Sequence, residues 1–173
     1  KIDKTAKNKL TKDQKKYLDK VRKSNVTWVN DQWLYNVICP YIQTANKNAG
    51  WNFQIDWFET MQYTHYKKGQ FYDWHCDQND TPYNYPEAPH FHNKIRKISA
   101  TVQLTEPEKY KGGELVFDAR NKMSGAKNIL KNKKFLPKGS IVVFPSFVWH
   151  KVTPVTKGER NSLVVWSLGK PYI

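Results

Sequence analysis

The sequence feature that most constrains the fold is a histidine and an aspartate separated by one residue, His75 and Asp77. Side chains alternate between the two faces of an extended backbone, so residues two apart project to the same side. The spacing therefore predicts a strand that directs an imidazole and a carboxylate toward one point. Another histidine, His150, stands far along the chain, and Arg160 follows ten residues later. If these groups act together, the fold must bring remote segments into contact.

Two imidazoles and one carboxylate on one side of a metal ion leave adjacent coordination positions open. Such a ligand set suits non-haem Fe(II), whose open positions accept a co-substrate and O₂. Zinc also accepts two histidines and an aspartate, so the ligand types alone do not name the metal. Arg160 favours iron, because a turn at 156–159 would return the chain as a neighbouring strand. Its guanidinium could then bind the far carboxylate of a dicarboxylate co-substrate through two hydrogen bonds.

The length of 173 residues fits a single domain, and 7 Trp, 10 Tyr and 8 Phe indicate a folded chain with a real core. The net charge is +14, and half of it lies in residues 1–23, which hold ten basic and three acidic residues. Such a segment can attract nucleic acid, but a solvated helix or tail is the simpler interpretation. Two cysteines, no secretory signal and no long apolar run predict a cytoplasmic protein without a membrane span.

Helix signals are confined to the first 50 residues. A capping-box pattern at 11–14 predicts a short helix over 11–23, and alternation over 24–29 predicts an edge strand. Asn30 or Asp31 then caps a longer helix that ends at 48–50. Its apolar face carries residues at helical spacing, namely Trp33, Leu34, Val37, Ile38, Tyr41, Ile42 and Ala45.

The period changes from 3.6 to two at Trp51. Alternating residues predict strands from 51 to 57, from 61 to 65 and up to His75 and Asp77, with further strands at 98–104, 114–117, 140–144 and 162–168. The polar segment 78–97 predicts a long loop, and glycine-containing turns are predicted at 111–113 and 137–139. The pattern indicates a mainly β (α+β) fold, a jelly roll with N-terminal helices on one face. We expect residues 1–50 to form a basic helical support region and 51–173 the jelly-roll core of one domain, 1–173.

Four segments, in this order and at these spacings, carry a family resemblance. They are residues 66–77, 112–115, 144–146 with 150–152, and 158–163. Together they resemble the 2-oxoglutarate/Fe(II) dioxygenases, most closely the prolyl 4-hydroxylase-like branch, over about residues 60–170. The resemblance implies a double-stranded β-helix and a need for Fe(II), 2-oxoglutarate and O₂, with ascorbate as a supporting reductant. It implies oxidative decarboxylation of 2-oxoglutarate to succinate and CO₂, coupled to hydroxylation of a C–H bond.

The resemblance also implies individual roles. His75, Asp77 and His150 would be the iron ligands. Arg160 and Ser162 would bind the distal carboxylate of 2-oxoglutarate, and Tyr66 would line the co-substrate or substrate pocket.

Two further positions match the family less directly. Gln103 stands where relatives often have a tyrosine or threonine that touches 2-oxoglutarate, so its role stays open. Trp166 matches an aromatic residue beside the active site.

Several residues also have simpler interpretations. Arg160 could instead form a surface ion pair with an acid such as Glu159. His90 and His92, in the long loop, could hold a second metal or touch substrate, but exposed loop residues are the simpler reading. The aromatic residues Tyr83, Tyr85 and Phe91 could form a wall for a peptide or anchor the loop.

Three functions remain open from the sequence. The leading prediction is hydroxylation of prolyl residues in a peptide or protein, which rests on the resemblance. The net charge and the many aromatic residues also allow oxidative demethylation of nucleic acid. A non-catalytic jelly-roll binding module is the third possibility.

Overall fold

Antiparallel β-strands make up most of the computed structural model, which describes residues 20–118, 129–130 and 137–172. In chain order the strands are β1 Arg22–Lys23, β2 Asn25–Val29, β3 Trp57–Phe58, β4 Met61–Tyr66, β5 Phe71–His75, β6 Ile95–Gln103, β7 Tyr110–Gly112, β8 Leu115–Asp118, β9 Ile129–Leu130, β10 Ile141–Pro145, β11 His150–Val152, β12 Val155–Gly158 and β13 Arg160–Gly169. One α-helix, α1, spans Gln32–Asn48, and a 3₁₀ turn spans Pro107–Lys109.

The strands form two main sheets within the described residues. One sheet has the order β1-β5-β11-β8-β9. The other has the order β10-β6-β13-β4-β2, with β3 paired to β13, and β12 and β7 form a separate ribbon. All of these pairings are antiparallel. The second sheet is called the major sheet below, and the first the minor sheet.

The major sheet is covered on both faces. Alternate residues of β6, Ile98, Ala100 and Val102, pack with Ile38 and Ile42 of α1 in one apolar cluster. A second cluster joins the two sheets through Tyr66, Leu115, Phe117, Phe144, Val152 and Val155. Because side chains alternate along a strand, the remaining residues of β6 project toward the minor sheet. The predicted mainly β architecture is therefore correct, and the space between the sheets is where polar side chains can meet.

Helix α1 begins and ends where the sequence predicts. Asp31 occupies the N-cap position, although its side chain makes no capping hydrogen bond. The chain leaves the helix at Gly50, whose φ of +70° suits glycine. The predicted edge strand is also correct, because β2 lies at one end of the major sheet.

The other predicted helix covers residues 11–23. Residues 11–19 of this prediction lie outside the described part of the chain. Within the described part, residues 20–21 are helical as predicted, but Arg22–Lys23 are not. They form β1, which pairs with Phe71 and Tyr72 of β5. The predicted helical character of residues 1–50 is therefore wrong at 22–23, because pairing with the exposed edge of β5 overrides the local helical pattern.

Three predicted boundaries are also wrong. Residues 51–56 form no strand, because the Asn46 side chain accepts a hydrogen bond from the Phe53 amide at 3.0 Å and donates one to the Phe53 carbonyl at 2.9 Å. The predicted loop 78–97 ends earlier, since β6 begins at Ile95. The predicted turn at 111–113 starts within a strand, because Tyr110–Gly112 pairs with β12.

None of the helices in the described part of the chain combines the length and apolarity required to cross a membrane.

The packing of α1 on the major sheet generates a stability prediction. Ile42 is fully buried against this sheet, so Ile42→Ala should lower the free energy of unfolding by about 2–5 kcal/mol. Val37 lies on the same helix but is 53% exposed, and Val37→Ala should change it by no more than about 0.5 kcal/mol. Urea denaturation measures both values, and equal losses would contradict the packing described here.

Candidate metal and co-substrate site

Two neighbouring strands of the minor sheet bring the candidate histidines together. His150 of β11 lies opposite His75 of β5, and their ring centroids are 4.2 Å apart. The register shifts before the next pair, Val152 with Tyr72, so β5 carries one extra residue at this point. Such bulges re-aim side chains beside functional sites. The predicted convergence of remote segments is therefore a direct result of strand pairing.

Backbone carbonyls orient both imidazole rings. Nδ1 of His75 lies 2.7 Å from the Asp73 carbonyl oxygen, and Nδ1 of His150 lies 2.9 Å from that of Val148. In each case the acceptor is two residues before the histidine. A carbonyl can only accept, so each Nδ1 carries the proton, and Nε2 keeps its lone pair when the ring is neutral. Metal-ligating histidines are commonly oriented in this way.

The carboxylate of Asp77 is buried between these rings. It lies 3.8 Å from Nε2 of His75 and 3.6 Å from Nε2 of His150. The Ser99 hydroxyl donates a hydrogen bond of 2.7 Å to it, and the Ser146 hydroxyl lies 2.9 Å from that of Ser99. The backbone amide of Asp77 also donates to the Ser146 carbonyl at 2.9 Å. These contacts fix the carboxylate although Asp77 lies beyond the end of β5.

The local electrostatics hold the ligands in the protonation states that a metal requires. Burial, followed by the neighbouring His150, lowers the pKa of His75 to about 4. Burial alone would raise the pKa of Asp77. Both imidazoles and the Ser99 hydroxyl outweigh that effect, so its pKa lies below the ordinary value. At neutral pH, His75 is thus neutral and Asp77 ionised, as metal binding demands.

The three side chains form a group that fits a metal ion. One ligand atom from each of His75, Asp77 and His150 can be chosen so that all lie within 4.8 Å of one another. No other group of three His, Cys, Asp or Glu residues with this property occurs among the described residues. His90 and His92 therefore form no such cluster, and the His90 ring instead stacks on Trp57 at 4.0 Å.

Arg160 lies in the same interior and has no acidic partner among the described residues. It is only 3% exposed, its Nη1 lies 3.4 Å from the Ser162 hydroxyl, and its guanidinium lies 5.6 Å from the centre of the Tyr66 ring. The nearby acid Glu159 pairs with His65 at 2.6 Å instead. The surface ion pair considered for Arg160 is therefore wrong. A buried guanidinium without a counter-ion is costly, which makes this a fitting place for a carboxylate.

Gly113 makes room for the Arg160 side chain. A β-carbon at this position would lie 3.1 Å from Cδ of Arg160 and 2.9 Å from a methyl group of Val155. The φ of +61° at Gly113 also favours glycine. This contact gives a physical reason for the glycine pair that precedes β8.

An interior cavity joins the histidines to Arg160. Its lining includes seven residues that the sequence singled out, His75, Asp77, His150, Arg160, Ser162, Tyr66 and Trp166. Thr101, not Gln103, lines the cavity from β6. The amide nitrogen of Gln103 donates to the Tyr110 hydroxyl at 2.9 Å and to the Thr105 carbonyl at 3.1 Å.

Sequence reasoning missed the residues that support this cavity. Its lining also contains Gln62, Tyr72, Thr101, Leu115, Val152 and Val164. The Tyr72 ring stacks on His75 at 3.5 Å. Alternation along β6 was the available signal for Ser99 and Thr101, since both share the inward face with Gln103.

Trp166 of β13 packs against an ion pair formed by Arg96 and Glu59. The Arg96 guanidinium lies 3.9 Å from the centre of the indole ring. It also donates hydrogen bonds of 2.6 and 2.8 Å to the two carboxylate oxygens of Glu59, which is buried. The indole is therefore fixed in the wall of the cavity.

Comparisons with known proteins agree with this site. Residues 61–168 match the family model of the 2OG-Fe(II) oxygenase superfamily. Because the match covers more than half of the chain, the chain belongs to this superfamily, whose members are 2-oxoglutarate-dependent dioxygenases. The family implies Fe(II), 2-oxoglutarate and O₂, and the cluster of His75, Asp77 and His150 is the matching donor set.

Among curated relatives, a PKHD-type hydroxylase of Pseudoalteromonas atlantica is 32% identical over 106 residues, covering 61% of this chain and 41% of the relative. One from Bordetella pertussis is 34% identical over 105 residues, covering 60% of this chain and 41% of the relative. The matched part of the chain thus spans about two fifths of the length of these relatives.

Solved structures show the same fold. A Pseudomonas putida prolyl-4-hydroxylase has a TM-score of 0.62 and 22% identity, with 88% of this chain and 75% of that one covered. A viral collagen prolyl hydroxylase from Paramecium bursaria Chlorella virus-1 has a TM-score of 0.60 and 22% identity, with 90% and 84% covered. At this identity the likeness shows a shared fold, and the predicted resemblance to the 2-oxoglutarate/Fe(II) dioxygenases is confirmed by the family match.

The donor cluster generates a prediction about metal binding. The metal-free protein should bind one Fe(II) or Co(II) ion under anaerobic conditions and gain thermal stability as it does so. Asp77→Ala and His150→Ala should each weaken binding by at least about a hundredfold, because each removes a ligand atom. His65→Ala removes a histidine outside the cluster and should leave the affinity unchanged. Isothermal titration calorimetry measures the affinities, and tight binding by Asp77→Ala would contradict the site.

Proposed function

We propose that this chain is the catalytic domain of a 2-oxoglutarate- and O₂-dependent hydroxylase that uses non-haem Fe(II) to hydroxylate prolyl residues in a peptide or protein. The observation that carries the proposal is a His₂Asp cluster that shares one cavity with Arg160, a buried cation without an acidic partner among the described residues. A metal ion at the cluster accounts for the inward-facing donors, and a carboxylate accounts for the arginine. The relatives named above are hydroxylases, and the two solved structures named above are prolyl hydroxylases.

Each candidate residue has a defined part in this proposal. His75, Asp77 and His150 hold Fe(II), and Ser99 keeps the Asp77 carboxylate oriented. Bound Fe(II), with 2-oxoglutarate and O₂, supplies the oxidising chemistry that inserts one oxygen atom into a C–H bond, while 2-oxoglutarate becomes succinate and CO₂. Protein groups supply position and the exclusion of water.

Arg160 and Ser162 bind the distal carboxylate of 2-oxoglutarate. The guanidinium offers two parallel donors, and the serine hydroxyl beside it offers a third. Both side chains are almost completely buried, so water competes little for these hydrogen bonds. Tyr66 packs beneath the guanidinium, and Trp166 closes another part of the cavity wall.

Gln103 has a supporting part. Its amide is occupied by Tyr110 and Thr105, so it holds the end of β6 rather than touching the co-substrate. The residue that reaches the cavity from this strand is Thr101.

The substrate is proposed to be a peptide or protein. One solved structure with this fold is a Trichoplax adhaerens prolyl hydroxylase in complex with a peptide fragment of hypoxia inducible factor, with a TM-score of 0.60 and 17% identity. In this chain the loop between β5 and β6 contains a cluster of aromatic rings. Tyr83 lies 5.8 Å from Tyr85 and 5.9 Å from Phe91 between ring centres. Such a cluster stabilises the loop and offers apolar surface to an extended peptide.

The proposed role of Arg160 in carboxylate binding can be tested with two 2-oxo acids that have the same metal-binding end. In the metal-loaded protein, 2-oxoglutarate should bind about 10–100-fold more tightly than 2-oxopentanoate, which lacks the distal carboxylate. Arg160→Gln should abolish this difference. Lys157→Gln removes an exposed cation of β12 and should retain it. Calorimetric titration measures both affinities for each of the three proteins, and an unchanged ratio in Arg160→Gln would exclude the proposed contact.

The substrate class can be tested in one assay. Purified protein with Fe(II), 2-oxoglutarate and ascorbate should form succinate faster with proline-containing peptides, and mass spectrometry should locate one added oxygen on proline. His150→Ala should abolish turnover, whereas His65→Ala should remain active. Methylated oligonucleotides are offered in parallel. Their demethylation would replace the proposal with the nucleic-acid alternative, and the absence of succinate under every condition would favour a non-catalytic binding module.

A further inference from the structure

Arg22 of β1 has a hydrogen-bonding group that no described residue satisfies. Its Nε donates to the Ser24 hydroxyl at 2.8 Å, and Nη1 reaches the Gln62 side-chain oxygen at 3.4 Å. Its Nη2 is buried and has no hydrogen-bond partner within the described residues. No carboxylate in the described part of the chain lies within 4.0 Å of this guanidinium. Among the described residues, this half-buried cation therefore has no counter-ion.

The unpaired Nη2 donor of Arg22 is unfavourable unless a ligand accepts a hydrogen bond from it. A buried donor without a partner costs about 1–3 kcal/mol, and more when it belongs to a charged group. Arg96, in contrast, is fully paired with Glu59 in the same protein. The guanidinium presents two donors in one plane, the geometry that matches a carboxylate.

Arg22 lies beside the catalytic cavity. Its guanidinium carbon is 4.5 Å from the centre of the Tyr72 ring, and that ring stacks on His75. Both Tyr72 and Gln62, its two side-chain contacts from other strands, line the cavity. Burial raises the pKa of the Tyr66 phenol, and Arg22 and then Arg160 are the positive charges that oppose this rise. The positive charge of Arg22 thus acts on Tyr66, a residue that lines the cavity.

Arg22 and Arg160 belong to different sheets. Arg160 lies on β13 of the major sheet, opposite Tyr66 of β4, whereas Arg22 lies on β1 of the minor sheet, opposite Tyr72 of β5. Arg160 is 3% exposed, while Arg22 is only partly buried. Arg22 is therefore the less buried of the two guanidinium groups and lies on the other side of the cavity.

We propose that Arg22 is a specificity-determining residue that binds a carboxylate of the substrate, so that the enzyme prefers peptides with an acidic residue near the hydroxylated position. The inference rests on the proposed function, because it takes the substrate to be a peptide. The occupant is a carboxylate rather than a phosphate of nucleic acid, because the hydrogen-bonding neighbours of this single guanidinium, Gln62 and Ser24, are neutral.

Pairs of capped peptides test the proposal by binding alone. Each pair has a central proline and carries either glutamate or glutamine at one of the flanking positions, and the protein is loaded with Co(II) and 2-oxoglutarate. At one position the glutamate peptide should bind about tenfold or more tightly than its partner, as expected for a hydrogen bond to a charged group. Arg22→Gln should remove the preference, and Arg22→Lys should restore part of it.

Lys23→Gln is the matched control. It removes the neighbouring positive charge on the same strand, but Lys23 is exposed and projects to the other side. We expect this variant to keep the preference within about twofold, because an exposed charge contributes little to a local contact. Thermal unfolding of the loaded proteins checks that every variant is folded.

Several results would overturn the proposal. They are equal affinity for glutamate and glutamine at every position, an equal loss of preference in Lys23→Gln, and a preference that survives Arg22→Gln. A tenfold loss of 2-oxoglutarate affinity in Arg22→Gln, with the peptide preference intact, would assign Arg22 to the co-substrate instead. A loss confined to oligonucleotide binding would assign it to nucleic acid. Failure of the proposed function is separate, because it appears as bound peptide that is never hydroxylated.

Discussion

The pairing of β5 with β11 is the interaction on which the site depends. It sets His75 opposite His150, and the irregular register gives β5 one extra residue beside the pair. Asp77 lies beyond the strand, so pairing alone does not place it. The Ser99 hydroxyl and the Ser146 carbonyl hold it from the other side of the cavity. The donor cluster is thus built from three segments, namely β5 with His75, β11 with His150, and the residues beyond β5 with Asp77. The contacts of each segment help to offset the free-energy cost of burying its polar or charged side chain.

Much of this arrangement follows from local sequence patterns. The two-residue period predicts most strands, and the helical stripe places α1 on the major sheet. The donor set follows from residue types and spacing. The rest depends on side-chain contacts that hydrophobic periodicity does not show. The Asn46 side chain binds the backbone of Phe53, where no strand forms, and the Tyr110 hydroxyl accepts a hydrogen bond from the Gln103 amide. Each pair lies seven residues apart, and neither contact follows from the alternation of apolar and polar residues.

Other features were missed because they arise at the edges of elements. Arg22 belongs to a segment with a helical pattern, yet the free edge of β5 recruits it into a strand. Its position beside Tyr72 is then a consequence of sheet pairing, not of local propensity. In the same way, Ser146 gains its importance from the turn after β10, where its backbone carbonyl accepts from the Asp77 amide.

The two guanidinium groups lie on different sheets and differ in burial. Asp77 lies in the cavity lining between two imidazoles, whereas Arg160 has no acidic partner among the described residues. A carboxylate bound at Arg160 would therefore satisfy a buried cation that no described acid neutralises. Arg22 is less buried and lies on the minor sheet, opposite Tyr72. Under the two proposals made above, two carboxylates would bind to separate cations and would not compete for one guanidinium.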